Sequence, residues 1–457
     1  MMRVSTNQAF TGGINNIQDV YSRLLRKQEQ ISTGQEVLVP SDDPVAASRI
    51  LNINEDNAIL DRYLDNITLA ENSLSEQETI LDGVLVGVQR LEELAIQAGD
   101  GVLSNADREA LALESQEIYE QLLGLANSQN ARGEYIFAGS QSSIQPFQVQ
   151  PDGTFIYVGD QAEREVEIAG GSYVNIRDSG WEVYMDTDNP RRVDTRTTNI
   201  NNARIGGGAL ADELTFDNYF DLYTAVPQPQ TTTITLTDNR DATDPDFPDV
   251  PVNYTATYLA PDGSGPFAVT APVNVLNEDT ASADGFLTLE VDMTAEMGQV
   301  FNIYVPVDTD GFPVGAGDAD GAGPGVGEQM NFQIDRQERS GVIETAYALT
   351  QLLSEPADTP TDGQYLSDQL GVILDQLDAA GESIDRVTAN VGARMNLLEA
   401  TDALHEDAKL FNAEALSDIE DLDYVAALSE LRLQETVLQA AQSSFVTVTN
   451  ISLFDLL

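Results

Sequence analysis

The chain has 457 residues, with 76 acids against 22 cations, a formal charge of −54, a single histidine (His405) and no cysteine. Such an acid excess repels nucleic acid and anionic membrane, because phosphate binding rests on basic patches. The missing cysteine excludes disulfides, zinc–thiolate sites and thiol nucleophiles, and 42% hydrophobic residues are enough for real cores in about two to four domains.

Lys27 and Lys409 are the chain's lysines; its other cations are arginines. Acid excess with so little lysine fits life in high salt, where screening is strong. The stretch from Met1 to Ile17 is polar and holds no apolar run of a signal-peptide core, so no cleaved signal peptide is expected. No run approaches eighteen apolar residues, so no membrane insertion is expected either.

In chain order, Ile14, Ile17, Tyr21, Leu24, Gln28 and Ile31 follow steps of three and four, which predicts a helix with one apolar stripe. Thr33-Gly34 ends it. Pro40-Ser41-Asp42-Asp43-Pro44 then makes a turn in which Ser41, Asp42 or Asp43 caps the next helix and Pro44 fills its first position. From Ala46 to Ala95 every seventh residue is apolar: Ala46, Ile53, Leu60, Ile67, Leu74, Leu81, Val88, Ala95. A strict seven-residue repeat keeps one seam on one partner, and fifty helical residues make a rod of roughly 75 Å. The companion series Ile50, Asn57, Leu64, Glu71, Glu78, Leu85, Glu92 is apolar only in part. That suits a helix packed on one side with charges at the margin.

Gly99-Asp100-Gly101 breaks the rod, and Ser104 with Asp107 forms a capping box. The helix after it, with Leu111, Ile118, Leu122 and Leu125, is expected to fold back antiparallel on the rod. Then the pattern turns to strands. Tyr135–Phe137, Phe155–Val158 and Tyr173–Ile176 come first. Thr232–Thr237, Val252–Leu259, Val269–Leu276 and Phe286–Val291 form a second, very acidic group. Residues 311–327 are glycine-rich and read as a loop. Helical period returns near Ser340, with Leu370, Leu377, Ile384, Val391 and Leu398 at intervals of seven and His405 next in that series. Ile419, Leu422, Ala426, Leu433, Val437, Ala441 and Val448 mark the last amphipathic helix.

The fold class is therefore α+β and multidomain. Both chain ends form a long α-helical bundle or coiled coil, and a β-rich part is inserted between them. Ile53, Leu60, Ile67, Leu74, Leu81, Val88, Leu377, Ile384, Val391 and Leu398 are its candidate rod core. Candidate chemistry is thin. His405 sits on a helix seam with no nucleophile signature nearby. Asp308–Gly311 and Asp318–Gly321 look like fragments of calcium loops, but the other ligand positions hold Pro306, Ala316 and Gly317. Gly206-Gly207-Gly208 lacks the lysine and clear preceding strand of a phosphate loop. No catalytic, cofactor-binding or metal residue is assigned, no cofactor is expected, and the chain does not read as an enzyme.

Several motifs resemble one branch of the bacterial flagellin family, the flagellar hook-associated protein 3. They are Met2–Thr6, Gln30–Gly34, Pro40–Ala47, Arg132–Ser140, Ile419–Tyr424, Leu438–Phe445 and Ser452–Leu457. Together they cover roughly 1–140 and 380–457; residues 145–335 match nothing in the pattern. The resemblance implies an extracellular structural subunit joining flagellar hook to filament, exported by the type III route without a cleaved signal peptide. Implied partners are hook-associated protein 1, flagellin, copies of itself in a ring and a cytoplasmic export chaperone. It also implies self-assembly through terminal helices carrying Ile14, Ile17, Tyr21, Leu24 and Ile31 at one end and Leu433, Val437, Ala441, Phe445 and Val448 at the other. On this reading 1–43 with 411–457 are the assembly helices, 44–140 with 336–410 the helical rod, and 141–335 the inserted β-rich part, divisible near 200. A flagellin filament subunit, or a secreted adhesin on a helical stalk, are the alternatives.

Overall fold

The computed structural model describes residues 6–100, 103–151, 155–197, 203–226, 230–239, 254–263, 267–271, 273–276, 286–307, 329–358 and 360–454. Described helices are α1 (Thr6–Thr33), α2 (Pro44–Ala98), α3 (Asn105–Ala126), α4 (Gly180–Tyr184), α5 (Glu213–Asp221) and α6 (Thr294–Met297). They continue with α7 (Val342–Ser354), α8 (Pro360–Glu420) and α9 (Tyr424–Phe454). Helical ends around a β middle make an α+β chain. It divides into two compact units, one of residues 1–69, 167–173 and 396–457, the other of 70–166 and 174–395.

In the first unit α1 pairs with α9, and the start of α2 lies antiparallel to the end of α8. Asp43 caps α2, its carboxylate accepting from the amides of Val45 (2.8 Å) and Ala46 (3.0 Å), with Pro44 at the first helical position. Across the α2–α8 pair, Asn412 Nδ2 donates to Asn57 Oδ1 at 2.9 Å, and Lys409 pairs with Asp61 at 2.6 Å. His405 stacks on Tyr63 with ring centroids 5.4 Å apart.

The second unit is built on the rest of α2. Ile67, Leu74, Leu81, Val88 and Ala95 are 0% exposed, as the seven-residue repeat predicts. Their companions differ from the sequence expectation. Up to Leu64 the half-buried partners are Ile50, Asn57 and Leu64; beyond it they are Ala70, Gln77, Val84, Leu91 and Ala98, all buried. Two successive steps of three, Leu64–Ile67–Ala70, shift the seam, a stammer in the heptad pattern. Glu71, Glu78 and Glu92 therefore fall at the margin. The Ser104–Asp107 capping box is present at the start of α3. The packing of α3 is antiparallel, since a Cβ on Gly83 would meet Leu125 and one on Gly87 would meet Leu122. On its other side α3 meets α7, with Ser115 and Thr350 hydroxyls 2.8 Å apart.

The first β segment has hairpins β1 (Phe147–Val149) with β2 (Phe155–Tyr157), and β3 (Glu165–Ala169) with β4 (Ser172–Asn175). Tyr135–Phe137 is not a strand. Asn130 Oδ1 accepts from the amides of Arg132 and Glu134, and Gly133 and Gly139 have positive φ, so the chain turns through this stretch. Ile136 and Phe137 are buried within that turn, which is why their apolarity mimics a strand.

The second β segment begins with β5 (Thr187–Asp188), β6 (Val193–Thr197), β7 (Arg204–Ile205) and β8 (Ala209–Leu210). It continues with β9 (Thr231–Asp238), β10 (Tyr254–Leu259), β11 (Phe267–Ala271) and β12 (Val273–Val275). Then come β13 (Phe286–Met293), β14 (Gln299–Pro306), β15 (Gln329–Arg336) and β16 (Arg339–Ser340). One sheet has the order β11-β10-β9-β15-β6. The other is β12-β13-β14-β7, with β8 also on β14. Both share a core of Ile234, Leu236, Phe332 and Ile334 with Leu289, Val291, Phe301 and Ile303, closed by Phe216 and Phe220 of α5. The stretch Val269–Leu276, expected as one strand, is two, in different sheets. The chain enters and leaves this sandwich at one place, where the amide of Gln337 donates to Arg192 O at 2.9 Å. Arg192, at φ 60, is held there by Asp217 (2.6 Å) and Glu338 (3.1 Å). The amide of Gly207 donates to Asp368 Oδ2 at 2.9 Å, and a Cβ there would run into Val372. Gly206 and Gly207 thus allow a close approach of this loop to α8, and Gly208 to Phe301 of β14. Residues 311–327, and both calcium-loop fragments, lie outside the described residues.

Candidate assembly surface

The terminal helices pair because each carries a stripe at alternating steps of three and four. On α1 the inward positions are Gly13, Ile17, Val20, Leu24, Lys27 and Ile31; on α9 they are Ala427, Leu431, Gln434, Leu438, Ala441 and Phe445. The pair is antiparallel. A Cβ on Gly13 would stand 2.7 Å from the Phe445 ring, so glycine is needed for that ring to seat. Lys27 bonds Glu430 at 2.9 Å in the middle. At the far end Gly34, at φ 78, lies under the Tyr424 hydroxyl and ends α1 in the left-handed conformation. The two inter-helix links then pair with each other. The amide of Glu36 donates to Glu420 O (2.7 Å) and that of Leu422 to Gly34 O (2.9 Å).

Little of this pair is fully buried. Within residues 11–33 and 424–447, where burial is described, the buried positions are Gln30 and Ala427. Of the residues chosen from the sequence, Ile14, Ile17, Leu24, Ile31, Ala441 and Phe445 are half-buried in the pair. Tyr21, Leu433 and Val437 are exposed, Leu433 by 63%, so they do not face the partner helix. Val448 lies on α9, but its side chain is outside the described residues. Val20, Leu431 and Leu438 take the inward places instead. A signal existed, since Tyr424, Leu431, Leu438 and Phe445 repeat every seven. The reason for the misplacement is physical. Helix α9 also exposes Val425, Leu428 and Val446 besides Leu433 and Val437, so apolar residues lie well beyond the stripe that meets α1 and more than one phase fits its sequence. Apolar surface left outside the pair is surface for further partners.

The rod residues divide by depth. Ile53 and Leu60 are half-buried, while Ile67, Leu74, Leu81, Val88, Leu377, Ile384, Val391 and Leu398 are 0% exposed. His405 Nε2 stands 2.7 Å from Ile168 O, and Asn66 Nδ2 donates to Glu167 O at 2.8 Å. The lone histidine thus helps tie the β3–β4 hairpin to the helices. Among the described residues no group of acids and histidine is placed to hold a metal. The motif around Arg132–Ser140 is held by Asp160. The Ser140 hydroxyl and amide hold its carboxyl below the usual carboxylate range.

A packing surface of this kind matches known proteins in one place above all. Residues 4–142 match the model of the bacterial flagellin N-terminal helical region. The first third of the chain is thus similar to a flagellin-type helical region. Flagellar hook-associated protein 3 of Salmonella typhimurium is 37% identical over 146 residues, covering 32% of this chain and 46% of that protein. The protein of the same name from Escherichia coli is 32% identical over 166 residues, covering 36% and 52%. This chain therefore spans about half the length of the curated relatives it matches. The fold is similar to that of the flagellar hook-associated protein 3 of Legionella pneumophila. That structure is similar with a TM-score of 0.58 at 22% identity, over 81% of this chain and 98% of that one.

Proposed function

We propose that this chain is a structural subunit of the bacterial flagellum, not an enzyme, and that it joins hook to filament. Residues 1–43 and 411–457 form its assembly part, 44–140 with 336–410 its rod, and 141–335 an inserted β part that stays out of assembly. Hook-associated protein 1 on one side, flagellin on the other and copies of itself in a ring are its partners. A cytoplasmic chaperone holds it before export, and export needs no cleaved signal peptide. Its relatives' names support this, and among the described residues no helix is long and apolar enough to cross a membrane.

The observation that carries the reading is α9, whose exposed Val425, Leu428, Leu433, Val437 and Val446 lie outside the face that meets α1. Burial of that remaining surface drives association. A two-helix pair with so few buried positions does not offset an ordering entropy of about 1–2 kcal/mol per residue, so both ends fold fully only among neighbours. Removing 437–457 takes Leu438, Ala441 and Phe445 from the seam. The truncated chain is expected to stay soluble, with 70–395 folded, and to fail to join flagella. Limited proteolysis of the intact chain should trim both ends first. Incorporation of the truncated chain into flagella would refute the role of α9.

A further inference from the structure

Helix α8 carries a second apolar stripe, distinct from the seam that faces α2. Leu397, Leu404 and Phe411 stand seven residues apart and are 48%, 68% and 70% exposed. Ala400 fills the step between Leu397 and Leu404, Ala393 stands one step before Leu397, and both are exposed too. Fourteen residues from Leu397 to Phe411 make a stripe of about 21 Å. Asp407, Glu414 and Asp418 lie along its edge, and none makes an ion pair among the described residues.

A matching surface lies on α2. Leu51, Ala58 and Arg62 share one outward face at steps of seven and four, and Leu51 is 59% exposed. Arg62 makes no ion pair among the described residues, although the chain has more than three acids for every cation (76 against 22). Where carboxylates are so abundant, an arginine left without one on an apolar face is available to a carboxylate from elsewhere. Around it, residues 6–69 hold five cations and nine acids, whereas 396–454 hold two and eleven, so the α2 side is the less acidic of the two.

We infer that the Leu397–Leu404–Phe411 stripe receives the Leu51–Ala58–Arg62 face of a second copy of this chain, with Arg62 meeting the acid edge. Two different patches meet, so the contact is heterologous. Repeated contacts of that kind close into rings or continue as helices and do not stop at a dimer. The inference rests on the self-assembling reading above and adds which faces meet.

The absence of native cysteine makes the contact testable by mixing two singly substituted full-length chains, Leu51→Cys and Leu397→Cys, at high concentration under mild oxidation; with these two residues opposed and the helices parallel, Ala58 meets Leu404 and Arg62 comes level with Asp407. The mixed disulfide is expected to exceed its statistical share, one half of the product. Arg62→Glu should cut it several-fold, and adding Asp407→Arg to the other chain should restore it. Circular dichroism checks that these exposed variants keep their helix content. A statistical mixture, or an excess of either like pair, overturns the inference. If the chain still joins flagella while giving that result, the proposed contact alone is wrong. If it joins none, the flagellar reading has failed as well.

Discussion

Leu74 and Leu60 occupy equivalent places in the α2 repeat, yet the structure assigns them different energies. Leu74 is 0% exposed, among the buried Ala70, Ser73 and Gln77. Leu60 is half-buried, in the unit where helices lie two together. Truncating a fully buried leucine to alanine costs about 2–5 kcal/mol, because lost transfer energy and a residual cavity add. At Leu60 part of the side chain is already in water and no closed cavity forms, so the cost is about 1 kcal/mol. Against a total stability of about 5–15 kcal/mol, Leu74→Ala should lower the main melting transition by about 5–10 °C. Leu60→Ala should leave that transition nearly unmoved. Leu74→Asp, which buries a charge without a partner, should abolish it. Thermal unfolding followed by circular dichroism at 222 nm reads all three. Equal shifts for the two alanine variants would show that the seam is not graded in depth and would refute the two-unit account of α2.

Three further outcomes follow from the structure. If the acid excess is an adaptation to salt, the melting temperature should rise steadily from low to molar salt as like charges are screened; a flat profile removes that reading. Replacing 193–336 by a short linker from Arg192 to Gln337, whose backbones are already hydrogen-bonded, should leave the helix signal of the remainder and its attachment to flagella largely intact. Loss of helix would show that the sandwich is needed for the rod. The Asp160 carboxyl is depressed by the Ser140 hydroxyl and amide. Its stabilising effect is therefore fully present above the unfolded value near 4 and is lost as pH falls through the folded value. Asp160→Asn should lower the melting temperature at pH 7, with a gap to the parent that shrinks toward pH 3; a gap independent of pH would contradict this.

The long helices were legible because burial on one seam imposes a period, and Leu74, Leu81 and Val88 needed nothing else. The companion positions were not, because the seam steps sideways at Leu64–Ile67–Ala70, where spacing rather than composition changes. On α1 the stripe was read through Tyr21 where the structure uses Val20, since one residue of drift leaves both choices at helical spacing. Strands β9, β10 and β13 declared themselves through alternation. The short β5, β7 and β8 did not, because their two-residue pairings depend on neighbours distant in the chain. The exposed stripe on α8 was hidden behind the stronger seven-residue repeat beside it.

The central claim is that this chain sits where hook meets filament. Gold-labelled antibody against residues 193–336, applied to isolated flagella of the source strain and viewed by electron microscopy, tests it directly. The account predicts a single label at the hook–filament boundary of each flagellum. Label along the whole filament, or none on any flagellum, would contradict it.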